Sequence, residues 1–204
     1  MIASRCSSCT PLGPVNARWS WIALLLVALG ATPAAAGTVA GVSMTDPSLT
    51  STTAGGEFDA YQRSALSDDG RWLVFRSQGS DLVPGYSGSG FQIYLYDHQT
   101  DAMALVSGAN GSPTQGGNGT CAEPVISGDG AFITFWSRAT NLMAGGSGPD
   151  VQNIYVWERA SGVMMLVSES VSSTGQRGNS HSSNPVVSGD GAYVAFLSQA
   201  TDLI

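Results

Sequence analysis

Hydrophobic and polar positions alternate along this chain in short runs, and one such run occurs three times. It reads Ser67-Asp68-Asp69-Gly70-Arg71-Trp72-Leu73-Val74-Phe75-Arg76-Ser77, then Ser127-Gly128-Asp129-Gly130-Ala131-Phe132-Ile133-Thr134-Phe135-Trp136-Ser137. The third copy is Ser188-Gly189-Asp190-Gly191-Ala192-Tyr193-Val194-Ala195-Phe196-Leu197-Ser198. The first serines stand 60 and then 61 residues apart (127 − 67, 188 − 127). In the third copy Tyr193, Ala195 and Leu197 fall on one face and Val194, Phe196 and Ser198 on the other, the period-two pattern of a strand. Ser-x-Asp-Gly is turn chemistry, because Gly accepts positive φ and Asp bonds its own backbone. The short apolar runs Ala65-Leu66, Val125-Ile126 and Val186-Val187 precede the turns, so each copy predicts a hairpin.

The remainder of the period repeats as well. Leu82, Leu142 and Leu203 each follow the closing serine by five residues. Ile93-Tyr94-Leu95-Tyr96-Asp97 matches Ile154-Tyr155-Val156-Trp157-Glu158, and Met103-Ala104-Leu105-Val106-Ser107 matches Met164-Met165-Leu166-Val167-Ser168. The tetrads at 98–101 and 159–162 predict hairpin loops. Four antiparallel strands per period define a blade, so the expected fold is all-β: a β-propeller, incomplete at about two and a half blades. Residues 37–43 end in the Val-Ser of a fourth strand and are expected to belong to a partial blade. Blades are expected over 64–107 and 122–168, with Gly-rich connections at 108–121 and 169–183, and a third begins at 184–204. A blade buries its faces only against neighbours, so a longer propeller protein is expected. If the chain truly ends at 204, self-association is the expected way to cover its open sheets.

Residues 1–36 carry the marks of a secretory signal peptide. Arg5 and Arg18 supply the basic region, Trp19 to Leu29 the apolar core and Ala34-Ala35-Ala36 the cleavage site, predicting a periplasmic or secreted protein cut after Ala36. The apolar run is shorter than the ~20 residues a membrane-spanning helix needs, so no membrane insertion is expected once the leader is removed. From residue 37 onward the chain has 6 Arg, no Lys and 15 acids, a net charge of −9 with His neutral. That balance argues against nucleic acid as a partner. Cys6 and Cys9 lie inside the leader. Cys121 then stands alone in what reads as a polar loop before a first strand; a small loop residue is favoured over a nucleophile or an intermolecular disulfide.

The ordered string Pro-x-[IV]-Ser-x-Asp-Gly-x-x-[VI]-x-Phe-x-Ser-x-[AG]-[TS]-[ND]-Leu, followed by Ile-Tyr-[LV]-[YW]-[DE] and Leu-Val-Ser, resembles the WD40-like Pro-Asp (PD40) repeat of TolB-like β-propellers. Residues 124–142 and 185–203 carry it, and 64–82 more loosely. The Pro of the family's turn is absent here, while the Asp and Gly remain. The resemblance implies an exported propeller that binds another protein without catalysis of its own.

No pattern of catalytic or ligand residues accompanies the repeat. His98 and His181 lack partners at metal spacing. No Gly-x-Ser-x-Gly elbow occurs, and a chain without Lys has no P-loop. Asp69, Asp129 and Asp190 invite a calcium or catalytic reading, but they hold the same turn position in every copy, where an Asx bond caps the hairpin. Asp68-Asp69, and Asp150 with Asn153, are too sparse for calcium, which takes about six to eight oxygens. Phe75, Phe135 and Phe196, with Tyr94 and Tyr155, are the expected core between blades. Trp72, Phe132 and Tyr193 are expected to pack rather than to form a sugar platform. Asn118-Gly119-Thr120 is a formal glycosylation sequon. The expected catalytic, cofactor-binding and metal residues are none, and the expected function is a non-catalytic scaffold for protein partners. The alternatives are an accessory propeller of a secreted hydrolase or glycan-active enzyme with its catalytic part beyond residue 204, and a structural spacer of a surface protein.

Overall fold

A computed structural model describes residues 65–203 apart from 147 and 173; the expected leader at 1–36 and the expected strand at 37–43 lie outside the described residues. The first sheet runs β1 (Ala65–Leu66), β2 (Trp72–Ser77), β3 (Gln92–Asp97), β4 (Ala102–Leu105). The second runs β5 (Cys121–Ile126), β6 (Phe132–Ser137), β7 (Asn153–Glu158), β8 (Met164–Leu166). A third begins with the hairpin β9 (Ser182–Val187) and β10 (Val194–Ser198). Every pairing is antiparallel and joins strands consecutive in sequence. The described residues are therefore all-β and form two whole blades and the opening hairpin of another, an incomplete propeller.

The repeated turn forms in the same way three times. Ser67 Oγ donates to Asp69 Oδ1 and accepts from the Trp72 N–H, while the Arg71 N–H donates to the same carboxylate oxygen. Ser127, Asp129, Ala131 and Phe132 repeat these bonds, as do Ser188, Asp190, Ala192 and Tyr193. Gly70 takes φ +71° and Gly130 +69°, the left-handed conformation that closes the turn. The three acids are thus consumed by local bonds, which hold their carboxyls below the ordinary range, the serine hydroxyl being the largest cause.

Alternation sends one set of side chains to each neighbouring blade. Val74, Ile93 and Leu95 of the first blade meet Cys121, Ile126, Ile133, Phe135 and Tyr155 of the second in one buried cluster. Leu73, Phe75, Tyr94, Tyr96 and Leu105 pack with Leu82 and Val83 on the opposite face of the first blade. Phe75 lies stacked on Tyr94 with ring centroids 5.9 Å apart, and Phe135 on Tyr155 at 6.1 Å. Removing such rings from water supplies most of the attraction that holds stacked sheets together.

The first strands differ from the sequence expectation. They extend well before the apolar couplets, over six residues in β5 and β9. The pairing skips between Ala122 and Val125, and again opposite Ala195 and Leu197. These are β-bulges, with Glu123 at φ +53° and Asn184 at φ +54°. Each precedes a proline, Pro124 or Pro185, which lacks the N–H a regular ladder uses.

Candidate interaction surface

The first strands approach one another, β1 on β5 and β5 on β9, so the sheets fan out from that edge. This placement puts the two bulge residues next to each other. Glu123 Oε2 accepts the Asn184 N–H at 2.8 Å. With its amide nitrogen turned to the acid, Asn184 lies 3.2 Å from both Glu123 oxygens. A carboxylate on an inner strand is what a site in the central channel needs, and here it joins two blades. Only the alignment of the residues before the two prolines points to this pair in the sequence, and no chemistry-bearing pattern marks it there.

A second cluster forms at the end of the blades that carries the repeated turns. Arg71 reaches Asp97 with two parallel bonds, Nε to Oδ1 at 2.9 Å and Nη2 to Oδ2 at 2.8 Å. Asp97 also accepts from the Gln99 N–H and the Thr100 hydroxyl, each at 2.9 Å. The Arg71 guanidinium, followed by these further donors, holds the Asp97 carboxyl far below the usual carboxylate range. Two guanidinium groups lie against the Trp72 ring, Arg71 at 4.5 Å and Arg159 at 4.0 Å from its centroid. Arg159 is anchored by its Nε, which donates to Gly130 O at 2.7 Å. A shallow depression of about 410 Å³ opens beside this group, lined by Asp69, Gly70, Arg71, His98 and Gln99. The arrangement is a polar surface whose donors and acceptors are held by bonds within and between the blades.

The aromatic residues at the start of the second strands knit the blades. A methyl built on Gly130 would lie 2.4 Å from Trp72 Cδ1, and one on Gly191 would lie 2.1 Å from Phe132 Cδ2. Each ring therefore occupies the space that the next blade's turn glycine leaves open. The turns also bond to one another, Asp68 N–H to Gly128 O at 2.8 Å and Asp129 N–H to Gly189 O at 3.3 Å. Tyr193 is the third member of the series and is 77% exposed, because no described blade follows it. Phe196, expected in the core with Phe75 and Phe135, is half-buried: it shares the face on which Phe135 meets the preceding blade, but no described strand sets a ring against it as Tyr155 stacks on Phe135.

The remaining candidates divide. His98 lines the depression and sits 6.4 Å from the Tyr96 ring. His181 accepts the Gln152 N–H at its Nδ1, 3.2 Å away, and so joins the second blade to β9. Among the described residues no group of three His, Cys, Asp or Glu is placed to hold a metal. Cys121 is not in a polar loop: it opens β5 and is 0% exposed. Its Sγ lies 3.1 Å from Ser137 Oγ, the position Ser182 holds against Ser198 in the next blade, at 2.9 Å. Burial pushes the thiol up to about 11, against the lowering effect of Ser137, so it stays protonated at neutral pH. The sequon residue Asn118 is bonded both ways to Thr140, its Nδ2 to Oγ1 at 2.8 Å and its Oδ1 from the N–H at 2.7 Å. Asn179 and Thr201 repeat that clasp. Asn141 and Asp202 also accept the Asn118 and Asn179 N–H groups, at 2.8 and 3.0 Å; Asp81, at the same place in the first blade, is buried with no hydrogen-bond partner among the described residues.

No family model matches the chain. Among curated proteins, a probable dipeptidyl-peptidase 5 from Aspergillus niger is 33% identical over 78 residues, which is 37% of this chain and 11% of that protein. Among solved structures, TolB from Acinetobacter baumannii superposes with a TM-score of 0.43 at 18% identity, over 69% of this chain and 27% of TolB. The chain thus spans a small part of the length of the proteins it matches.

Proposed function

We propose that this chain belongs to an exported, non-catalytic propeller of the PD40-repeat type that serves as a scaffold for a protein partner. The observation that carries the reading is the turn surface. Its three repeated carboxylates are bonded into their own turns. The neighbouring Arg71–Asp97 pair and the Trp72 stack hold a fixed pattern of polar groups. Fixed donors and aromatic anchors with little side-chain entropy left to lose favour specific protein binding. Affinity capture with the full-length protein from its native compartment tests it. A partner released by Arg71→Ala together with Arg159→Ala, in a variant that still folds, is the expected result. Failure to retain any stable partner refutes it.

A second reading has one observation in its favour, the 78-residue likeness to a probable dipeptidyl-peptidase 5. In that reading the propeller is the accessory domain of a secreted hydrolase. Turnover of peptide substrates by the full-length protein separates the two.

A further inference from the structure

The connection between the two whole blades holds two Asn-Gly pairs, Asn110-Gly111 and Asn118-Gly119. Asparagine is a thermolabile residue, and a following glycine has no Cβ to shield its main-chain nitrogen from the asparagine amide carbon. Both asparagines are exposed, so access to water does not separate them. Their bonds do. The Asn118 side chain is held at both ends by Thr140, and its N–H by Asn141 Oδ1. Gly119 is packed as well: a methyl built on it would lie 2.5 Å from Ala139 N and 2.7 Å from Arg138 C. The peptide between Asn118 and Gly119 therefore has no room to turn.

Asn110 lies in the 3-10 turn Ala109–Gly111, at φ 49° and ψ 37°. Its N–H donates to Asn141 O at 2.7 Å, but among the described residues its side chain takes part in no hydrogen bond. The Gly111 N–H reaches Gly108 O only at 3.4 Å, beyond the usual range. A methyl on Gly111 would meet nothing within 4 Å among the described residues. Bringing the Gly111 nitrogen onto the Asn110 amide carbon needs rotation about ψ of Asn110. That long bond and one other, from the Ser112 N–H to Ala109 O at 2.9 Å, resist it, both within a single surface turn that opens locally.

We infer that Asn110 is a modification site, where the side-chain amide is lost through attack by the Gly111 nitrogen, and that the fold protects Asn118 from the same reaction. The Gly111 nitrogen bonds to Asn110 Cγ, the Cγ–Nδ2 bond breaks, and ammonia leaves with the proton of the Gly111 N–H. Water then opens the cyclic imide at one of its two carbonyl carbons. Opening at Cγ gives an aspartate. Opening at the main-chain carbonyl carries the backbone through Cγ and lengthens it by one atom. Both products place a negative charge at residue 110, and the second lengthens the connection that its N–H ties to Asn141 of the next blade. This is the end of the blades away from the repeated turns, because Asp97 pairs with both Trp72 and Ala102 at the turn end. The reaction is therefore separate from the scaffold reading.

The test is to age the full chain at pH 8, folded and in urea, and to follow both asparagines by peptide mapping and mass spectrometry. In the folded chain, conversion at Asn110 is expected to be at least about tenfold faster than at Asn118, where the two side-chain bonds of the clasp must open first. In urea the two rates are expected to converge. Chromatography is expected to resolve two products at residue 110, the aspartate and the backbone-lengthened form. Three outcomes overturn the inference: an Asn110 that stays intact in the folded chain while the unfolded chain reacts, equal folded-state rates at Asn110 and Asn118, or aspartate as the sole product, which would mean direct hydrolysis by water.

Discussion

Two glycines offer a matched experiment on what holds one blade to the next. Gly70 and Gly130 occupy the same turn position at φ +71° and +69°. Among the described residues a methyl on Gly70 meets nothing within 4 Å, whereas one on Gly130 falls 2.4 Å from Trp72 Cδ1. Gly70→Ala therefore carries only the left-handed strain, about 1–2 kcal/mol. Gly130→Ala carries the same strain and must also displace the Trp72 ring, which Arg71 and Arg159 contact. Overpacking of that kind adds about 1–3 kcal/mol. Urea titrations of the two variants, followed by tryptophan fluorescence and far-UV circular dichroism, read the difference directly. Trp72→Ala in the Gly130→Ala background is expected to recover the overpacking part and leave the strain. Equal destabilisation by the two glycine changes, within about 0.5 kcal/mol, would refute the inter-blade stack as the reason for the glycine. That margin is the additivity error of distant sites.

Other consequences are open to test. Asp97, Asp69, Asp129 and Asp190 have carboxyls held below their ordinary range by bonds made only in the folded chain. The stability they contribute is fully present above the unfolded carboxyl pKa near ~4 and is lost as pH falls through the lower folded values. Acid titration of Arg71→Leu is expected to show unfolding at higher pH than the parent chain, and an unchanged acid midpoint would count against the Arg71–Asp97 pair. Phe135→Ala empties a fully buried site between two blades and should cost about 3–5 kcal/mol, while Phe196→Ala on the half-open hairpin should cost clearly less. Equal losses in thermal melts would contradict that ordering. The Cys121 thiol, buried and protonated, should resist a thiol reagent at pH 8 and react at the rate of unfolding in urea. Prompt modification of the native chain would show the strand to be open at that point. Glycosylation at Asn118 would put a sugar on the Nδ2 that donates to Thr140, leaving it one N–H and crowding the clasp. In a glycosylating host, the fraction carrying a glycan by mass spectrometry should melt lower if the clasp opens, one such bond being worth about 0.5–1.5 kcal/mol.

Local chemistry was legible from the chain itself. The Ser-x-Asp-Gly phrase determined its turn because the bonds that close it lie within five residues, from Ser67 to Trp72 and likewise in the other copies. Period-two alternation determined the strands, and the repeat determined their number per blade. The same locality explains why the three aspartates were legible as structural acids. What the sequence could not reveal is what meets across sheets. Cys121 reads as a loop residue because polar neighbours surround it in the chain, yet the bulge at Glu123 extends β5 and carries the thiol into the core. Arg71 finds Asp97 26 residues away, and Glu123 finds Asn184 61 residues away. The packing of each aromatic against the next blade's glycine has the same origin: Trp72 and Gly130 look ordinary apart and become one contact only when the blades stack. Composition and periodicity act along the chain and fix strands and turns; the inner-edge pair and the guanidinium stack on Trp72 exist only through the angle at which one sheet meets another.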